Sequence, residues 1–244
     1  MHNEMNIKHP NFQCAVCGHR ASGIFCNLLG SHLHKLDQEK TVHTYRGRQI
    51  LFYEGNPSFA IYCVASGLIK LYKSYRKGDQ YILRLLGPGD ITGYCTLLQN
   101  EPYAATAEAL EPSTVCIISR ETLLQLMRES SDLTFRLLAR MAQEVRTAEE
   151  QMLSFVHESV RQRTARILLF LMQSNHKEAR GSAVLRVPLL RSEMAQMVGT
   201  TPETFSRTLH ELAQEGVLRV TRKGIIVENL TALQNMAAGQ VSPT

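Results

Sequence analysis

The sequence predicts an α+β chain built from a small antiparallel β-barrel, one long helix and a C-terminal winged helix-turn-helix. Three observations predict it. Residues 41–119 carry short apolar runs separated by turn glycines at intervals of about 8 to 12 residues, the spacing of an all-β barrel or sandwich. From Leu138 onward apolar residues recur in alternating steps of three and four. Near the C-terminus two short helical patterns flank Gly199 and are followed by a two-stranded pattern. The 244 residues are 44% hydrophobic and 20% charged, which supplies real cores and excludes disorder. Apolar runs such as Ile167 to Met172 fall far short of the ~20 residues that span a bilayer, and MHNEMNIKHP holds no apolar signal segment. The expected location is therefore the cytoplasm, with no membrane partner.

Residues 1–40 form the first division. They hold Cys14, Cys17 and Cys26, half of the six cysteines, the others being Cys63, Cys95 and Cys116. Cytosolic thiols stay reduced, and clustered ones bind metal more often than they form disulfides. Three soft thiolates on a short segment favour an iron-sulfur cluster or zinc over magnesium or calcium. His19, His32 and His34 lie near enough in sequence to complete a Cys3His zinc site, which is the alternative metal centre. Cys63, in an apolar strand pattern, is expected to be core.

Residues 41–130 are the barrel. Ala60 to Tyr72 and Gln80 to Leu86 are rich in β-branched and aromatic residues, and Gly87-Pro-Gly-Asp90 punctuates them. Residues 131–158 are the long helix. Leu138, Met141, Val145, Ala148, Met152 and Phe155 make the a/d seam of a coiled coil, narrower than the stripe of a core-facing helix, and so predict a parallel homodimer. No Gly or Pro interrupts residues 120–180, so helix is expected from about Arg120.

Residues 159–244 are the DNA-binding division. Residues 160–244 hold eleven Lys/Arg against six Asp/Glu, whereas the rest of the chain is balanced; this excess favours a polyanionic partner, and the helix-turn-helix that follows makes double-stranded DNA the expected one. Ser192 is expected to cap a helix carrying Met194, Ala195 and Val198, and Gly199 to end it. Thr201 then caps a second helix with Pro202 first and Phe205, Leu209 and Leu212 inward. Glu203, Ser206 and Arg207 share the opposite face and can reach bases together, with Thr200 and Thr201 beside them. Val217 to Glu228 is a hairpin wing whose turn, Arg222-Lys223-Gly224, supplies phosphate contacts.

Barrel, long helix and winged helix-turn-helix in this order resemble the Crp/Fnr superfamily of bacterial transcription regulators, over about residues 40–230. The resemblance implies a jelly-roll barrel of the cyclic-nucleotide-binding type in a homodimeric DNA-binding regulator that acts with RNA polymerase and is not an enzyme. Cyclic-nucleotide binders of this fold carry a G-E-L cassette followed by an Arg-Ser/Thr pair, because the phosphodiester needs backbone donors and a guanidinium. Here the chain has Gly89-Asp90-Ile91-Thr92-Gly93-Tyr94 and then Tyr103-Ala104-Ala105-Thr106, so no cyclic nucleotide is expected. Glu203-Thr204-Phe205-Ser206-Arg207 matches the E-x-x-S-R pattern of the Fnr branch and implies TTGAT-type half-sites in an inverted repeat. In that pairing Glu203 accepts from cytosine N4, Arg207 pairs with guanine O6/N7 and a short hydroxyl touches thymine. Cys14-Ala-Val-Cys17 with Cys26 resembles the cluster-binding motif of the same branch. The family's fourth ligand comes from a strand context that Ser113-Thr-Val-Cys116-Ile-Ile118 matches, implying a [4Fe-4S] cluster on Cys14, Cys17, Cys26 and Cys116. Cys95 is the alternative fourth ligand, and structural zinc or a small-ligand, haem or nitric-oxide input the alternative to oxygen sensing. Glu150 falls where the family places an acidic residue that opposes dimerisation, which makes Met141, Val145, Glu150 and Met152 an expected dimer switch.

Overall fold

The computed structural model describes residues 13–18, 23–25, 28, 30–75, 80–174, 184–185, 188–221 and 224–239. The chain divides into two compact units, Met1–Val145 and Arg146–Thr244. In the first, a 3₁₀ turn at Cys14–Val16 and helix α1 (Gly30–Glu39) precede the strands β1 (Thr41–Tyr45), β2 (Ile50–Phe52), β3 (Ala60–Ser66), β4 (Ile69–Ser74), β5 (Gln80–Leu86) and β6 (Ile91–Thr92). Helix α2 (Tyr94–Gln99), strands β7 (Thr106–Ala109) and β8 (Ser113–Ser119), and helices α3 (Arg120–Glu129) and α4 (Ser131–His157) follow.

The strands make two four-stranded sheets, ordered β1-β8-β3-β6 and β2-β7-β4-β5, with antiparallel pairing throughout. The chain crosses between the sheets repeatedly, the jelly-roll arrangement. Between the sheets Phe52, Tyr62, Val64, Ile69, Leu71, Leu86, Tyr103 and Val115 interdigitate. The Phe52 and Tyr103 rings stack at 4.1 Å, and the buried Tyr103 hydroxyl donates to the Ala60 carbonyl at 2.8 Å. The β3–β4 turn needs Gly67: its φ is +89°, and a Cβ there would stand 2.7 Å from Cα of Ser113.

Strand alternation decides what faces the other way. On β3, Tyr62 and Val64 point into the barrel while Ile61 and Cys63 point out; on β8, Val115 points in while Cys116 and Ile118 point out. This outer face is covered by α1, α2, α3 and the start of α4, through Leu36, Leu97, Leu123, Leu126, Leu133 and Leu137. Each such side chain contributes roughly 1.5–3 kcal/mol when fully buried.

Helix from about Arg120 is found, but not unbroken. Ser119 caps α3 by accepting from Thr122 N at 3.1 Å, and the chain leaves helix at Ser130 (φ −131°, ψ 101°) before α4 starts. It leaves again at Glu158 and Ser159, ahead of α5 (Val160–Ser174). Neither break has Gly or Pro; extended Ser130, whose hydroxyl accepts from Leu133 N at 3.3 Å, and Ser159, whose hydroxyl accepts from Gln162 N at 3.2 Å, make them.

The second unit contains the end of α4 and α5, then β9 (Val184–Leu185), α6 (Arg191–Val198), α7 (Pro202–Gln214), β10 (Leu218–Thr221), β11 (Gly224–Val227) and α8 (Leu230–Ala237). Its three strands are ordered β10-β11-β9, so the hairpin wing carries a third strand. Leu168, Met194, Val198, Phe205, Leu209, Leu212, Leu218 and Leu233 are buried. The α6 cap differs from expectation. Helix begins at Arg191 rather than after Ser192, because the buried Glu193 side chain reaches back and accepts from Leu190 N at 2.7 Å. No helix among the described residues is long and apolar enough to cross a membrane.

Candidate functional site

Helix α6 ends in the left-handed region at Gly199 (φ +69°), whose N–H donates to Gln196 O at 3.0 Å; Thr200 N donates to Ala195 O at 3.0 Å. Thr201 then caps α7, its hydroxyl accepting from Thr204 N at 3.2 Å, with Pro202 in the first helical position. Phe205, Thr208, Leu209 and Leu212 anchor α7 to the core. That leaves Thr201, Glu203 and Arg207 exposed and Thr200 and Ser206 half-buried, as helical spacing predicts. Glu203 is held below the usual carboxylate range by its own backbone amide and by the Thr201 hydroxyl, so it is a pure acceptor at neutral pH. Arg222 and Lys223 lie outside the described residues; the flanking strands pair from Leu218↔Val227 to Thr221↔Gly224.

The second site is the outer face of the β1-β8-β3-β6 sheet. Cys63 and Cys116 are directly opposite each other across β3 and β8, flanked by Val42 and Ala65. The 3₁₀ turn at the N-terminus comes to the same place. Cys14 N donates to Asp37 Oδ1 at 2.7 Å, and Lys40 Nζ donates to Cys14 Sγ at 3.0 Å while forming an ion pair with Asp37. The Lys40 side chain is only 3% exposed. Burial pushes the Cys116 thiol up to about 12, against the opposing pull of Lys40, and raises Cys14 and Cys63 as well. Cys14 and Cys63 pack against the same helix-covered core. Cys95 keeps other company: it is exposed on α2, beside Glu144 and Arg84. Cys26 and His19 lie outside the described residues; His32 approaches Glu129 at 3.6 Å and His34 bonds Gln38 at 2.8 Å. Among the described residues no three His, Cys, Asp or Glu converge as a single metal ion requires. Sequence spacing missed Asp37 and Lys40, which only the fold of α1 brings to Cys14.

The loop from Gly87 to Gly93 is closed by protein groups. Asp90 Oδ2 accepts from Gly87 N at 2.9 Å, and Asp90 Oδ1 accepts from Arg140 of α4 at 2.6 Å. Arg140 also donates to Glu144 at 3.2 Å, and Arg84 pairs with Glu144. Burial opposes ionisation of Glu144, but its contacts with Arg84, Tyr94 and Arg140 outweigh it and hold the carboxyl below its usual range.

Along α4, Leu138, Val145, Met152 and Phe155 are exposed, as are Phe135, Leu153 and Val156, so the apolar stripe is wider than the a/d seam. Met141 is half-buried and packs partly against the helix-covered core. Glu150 is exposed and pairs with Arg146 of the same helix at 3.0 Å.

Residues 42–130 match the cyclic nucleotide-binding domain family, and residues 162–236 the Crp-like helix-turn-helix domain family. The chain is 33% identical over 189 residues to the cyclic AMP receptor protein of Thermus thermophilus, covering 78% of this chain and 84% of that protein. The chain belongs to the Crp/Fnr family of transcription regulators. Another similar member is the fumarate and nitrate reduction regulatory protein of Escherichia coli, 29% identical over 230 residues, 92% of this chain and 91% of that one. The solved structure of FixK2 from Bradyrhizobium japonicum superposes with a TM-score of 0.71 at 26% identity, covering 84% of this chain and 99% of that one. As a Crp/Fnr regulator the chain binds DNA, and α7 is the second helix of its helix-turn-helix, the one that enters the major groove in that motif.

Proposed function

We propose that this regulator is switched by an oxygen- or redox-responsive [4Fe-4S] cluster on Cys14, Cys17, Cys26 and Cys116, and that it binds TTGAT-type inverted repeats as a homodimer alongside RNA polymerase. One arrangement supports the cluster: Cys14 packs on the same helix-covered core as Cys63, and Cys63 lies directly opposite Cys116 across β3 and β8, while Cys95 sits exposed on α2. The donor chemistry fits a soft-metal centre, since it combines thiols with a buried ammonium that favours their thiolate forms. Bound there, the cluster supplies chemistry that oxygen or nitric oxide can reach. The chain's own part is to hold the N-terminal turn, through Asp37 and Lys40, on the sheet face that the start of α4 also covers. A change at the thiols thus bears on the packing of the helix that carries Met141, Val145, Glu150 and Met152. The exposed stripe on α4 is the face a second copy would bury. Arg146 beside Glu150 weakens the carboxylate repulsion expected across that seam.

The spectrum of protein purified without air, with iron, sulfide and zinc counted, tests the cluster: a brown protein with iron and sulfide is expected, and zinc without iron sinks the proposal. For DNA, Arg207→Ala should cost about 1–3 kcal/mol and relax choice at the guanine, while Glu203→Ala should lose discrimination yet keep non-specific affinity at low salt. Selection on randomised duplexes that returns the same half-site from both variants would move base reading elsewhere. A second reading, cyclic-nucleotide control through the barrel, is favoured by the likeness to the cyclic AMP receptor protein. Against it, Asp90 in the loop is engaged by Arg140.

A further inference from the structure

The turn between α6 and α7 is held from behind by the end of α4. A Cβ built on Gly199 would come within 2.5 and 2.8 Å of Cε1 and Cδ1 of Phe155, so the Phe155 ring lies directly on the turn. Arg163 of α5 lies over the same ring, its guanidinium carbon 5.5 Å from the centroid. That guanidinium donates to three backbone carbonyls. Nε reaches Val198 O, at the last residue of α6, at 2.7 Å; Nη1 reaches Ser154 O at 3.3 Å and also Glu158 O. The last carbonyls of a helix lack intrahelical donors and carry the negative end of its dipole; Ser154 O also accepts from Glu158 N at 3.0 Å. One cation thus serves the ends of α4 and α6 at once, from the first turn of α5. Only Glu158 and Ser159 separate α4 from α5. A two-residue joint does not by itself fix an angle, but three carbonyl bonds and a stacked ring do.

We infer that Arg163, with Phe155 and Gly199, is the positioning device that fixes the helix-turn-helix, the reading head, to the end of α4 and so sets which half-site spacing the dimer accepts. The inference rests on the proposed dimer on inverted repeats. In such a dimer the two reading helices enter the groove about one helical turn, ~34 Å, apart, so a rigid joint rejects a site lengthened or shortened by one base pair. A loose joint tolerates the altered site and binds the correct one less tightly, because it is no longer pre-organised. Phe155 has a second part here beyond the a/d seam: its ring packs on the turn of the reading head. The donors of Arg163 go to carbonyls, so its replacement should leave the salt dependence of binding unchanged, unlike loss of a phosphate contact.

The test uses the full chain and its Arg163→Gln, Arg163→Lys and Phe155→Leu variants, with binding measured at fixed salt. The duplexes are a single half-site, the preferred inverted repeat, and the same repeat with one base pair added or removed. The expected wild-type preference for correct spacing is about tenfold, falling to about threefold or less in Arg163→Gln, with single half-site affinity unchanged. Arg163→Lys should behave like Arg163→Gln, since an ammonium keeps the charge but lacks the planar fork. Phe155→Leu, which keeps the guanidinium bonds, should fall between. Melting curves and sedimentation establish that each variant is folded and dimeric. Should Arg163→Gln be neither, Phe155→Leu decides, and an unchanged spacing ratio in it overturns the inference. The same holds if folded, dimeric Arg163→Gln keeps the wild-type ratio, or if it loses single half-site affinity as much as repeat affinity, which would make Arg163 a support of the head alone. A wild-type protein with no preference for a repeat over a single half-site removes the dimer reading and this inference together.

Discussion

Two polar sites on the barrel are built in opposite ways. At the Gly87–Gly93 loop every charge meets its opposite: Asp90 holds Arg140, and Arg140 and Arg84 share Glu144. On the outer face of β3 and β8, thiols gather around a single buried ammonium and one carboxylate, and burial drives those thiols toward their neutral forms. A site whose charges already satisfy one another ties elements together and has little to gain from a ligand. A site of buried thiols can hold a soft metal only by giving up its protons, and the Lys40 ammonium beside Cys14 opposes the cost that burial adds. The likeness to cyclic-nucleotide-binding domains directs attention to the first site; the cluster proposed above would sit at the second.

The largest test of that contrast is iron retention. Cys14→Ser or Cys116→Ser should lose most of the iron of anaerobic protein, whereas Cys95→Ser, on α2, should keep it. Iron loss on Cys95→Ser with retention in Cys116→Ser would reverse the assignment. Alkylation of metal-free protein, followed by mass spectrometry, should sharpen the contrast. Burial and Glu144 raise the Cys95 thiol as well, but Cys95 is exposed, and it should react at least about tenfold faster than buried Cys116, whose thiol is pushed up to about 12.

The charged loop should show itself in acid. Glu144 has a folded-state pKa below its unfolded one, so its contribution is present in full above the unfolded value and is lost as pH falls through the folded value. Between about pH 5 and 3 wild type should therefore lose more stability than Glu144→Gln, measured by urea melts at each pH. The smallest effect belongs to Arg140→Gln, which breaks partly exposed pairs with Asp90 and Glu144 and should cost about 1 kcal/mol. Cyclic AMP should leave DNA affinity within about twofold in wild type and in this variant, well under the coupling of an allosteric ligand. A larger response would reinstate the loop as a ligand site.

Much of this architecture was legible in the residues. Turn glycines marked the strands, and β5 occupies Gln80–Leu86, the stretch singled out by its β-branched and aromatic content. Thr201, Pro202 and Gly199 placed the reading helix because caps and left-handed turns are local chemistry. Ser192 misled for a related reason: the cap at Leu190 is made by a side chain three residues on, and a serine nearby looks like the better candidate. The pairing of Cys63 with Cys116 was not legible, since strand register is settled by the whole barrel. Nor was Lys40, whose meeting with Cys14 depends on how α1 folds back. Helices α1, α2 and α8, each of ten residues or fewer, were not legible, whereas the equally short α6 was, because Gly199 marks its end.

The pairing of the first strand with the last has a consequence for the order of events during synthesis. β1 runs beside β8, and Glu39 at the end of α1 accepts from the hydroxyl of Thr122, 83 residues later. The sheet face beside Cys14 is therefore complete only once β8 has emerged from the ribosome, several seconds after the thiol itself at the usual rate of ~5–20 residues per second. Throughout that interval the nascent thiols are open to any metal or oxidant in the surroundings. The face that gathers them is completed last of all the barrel's parts.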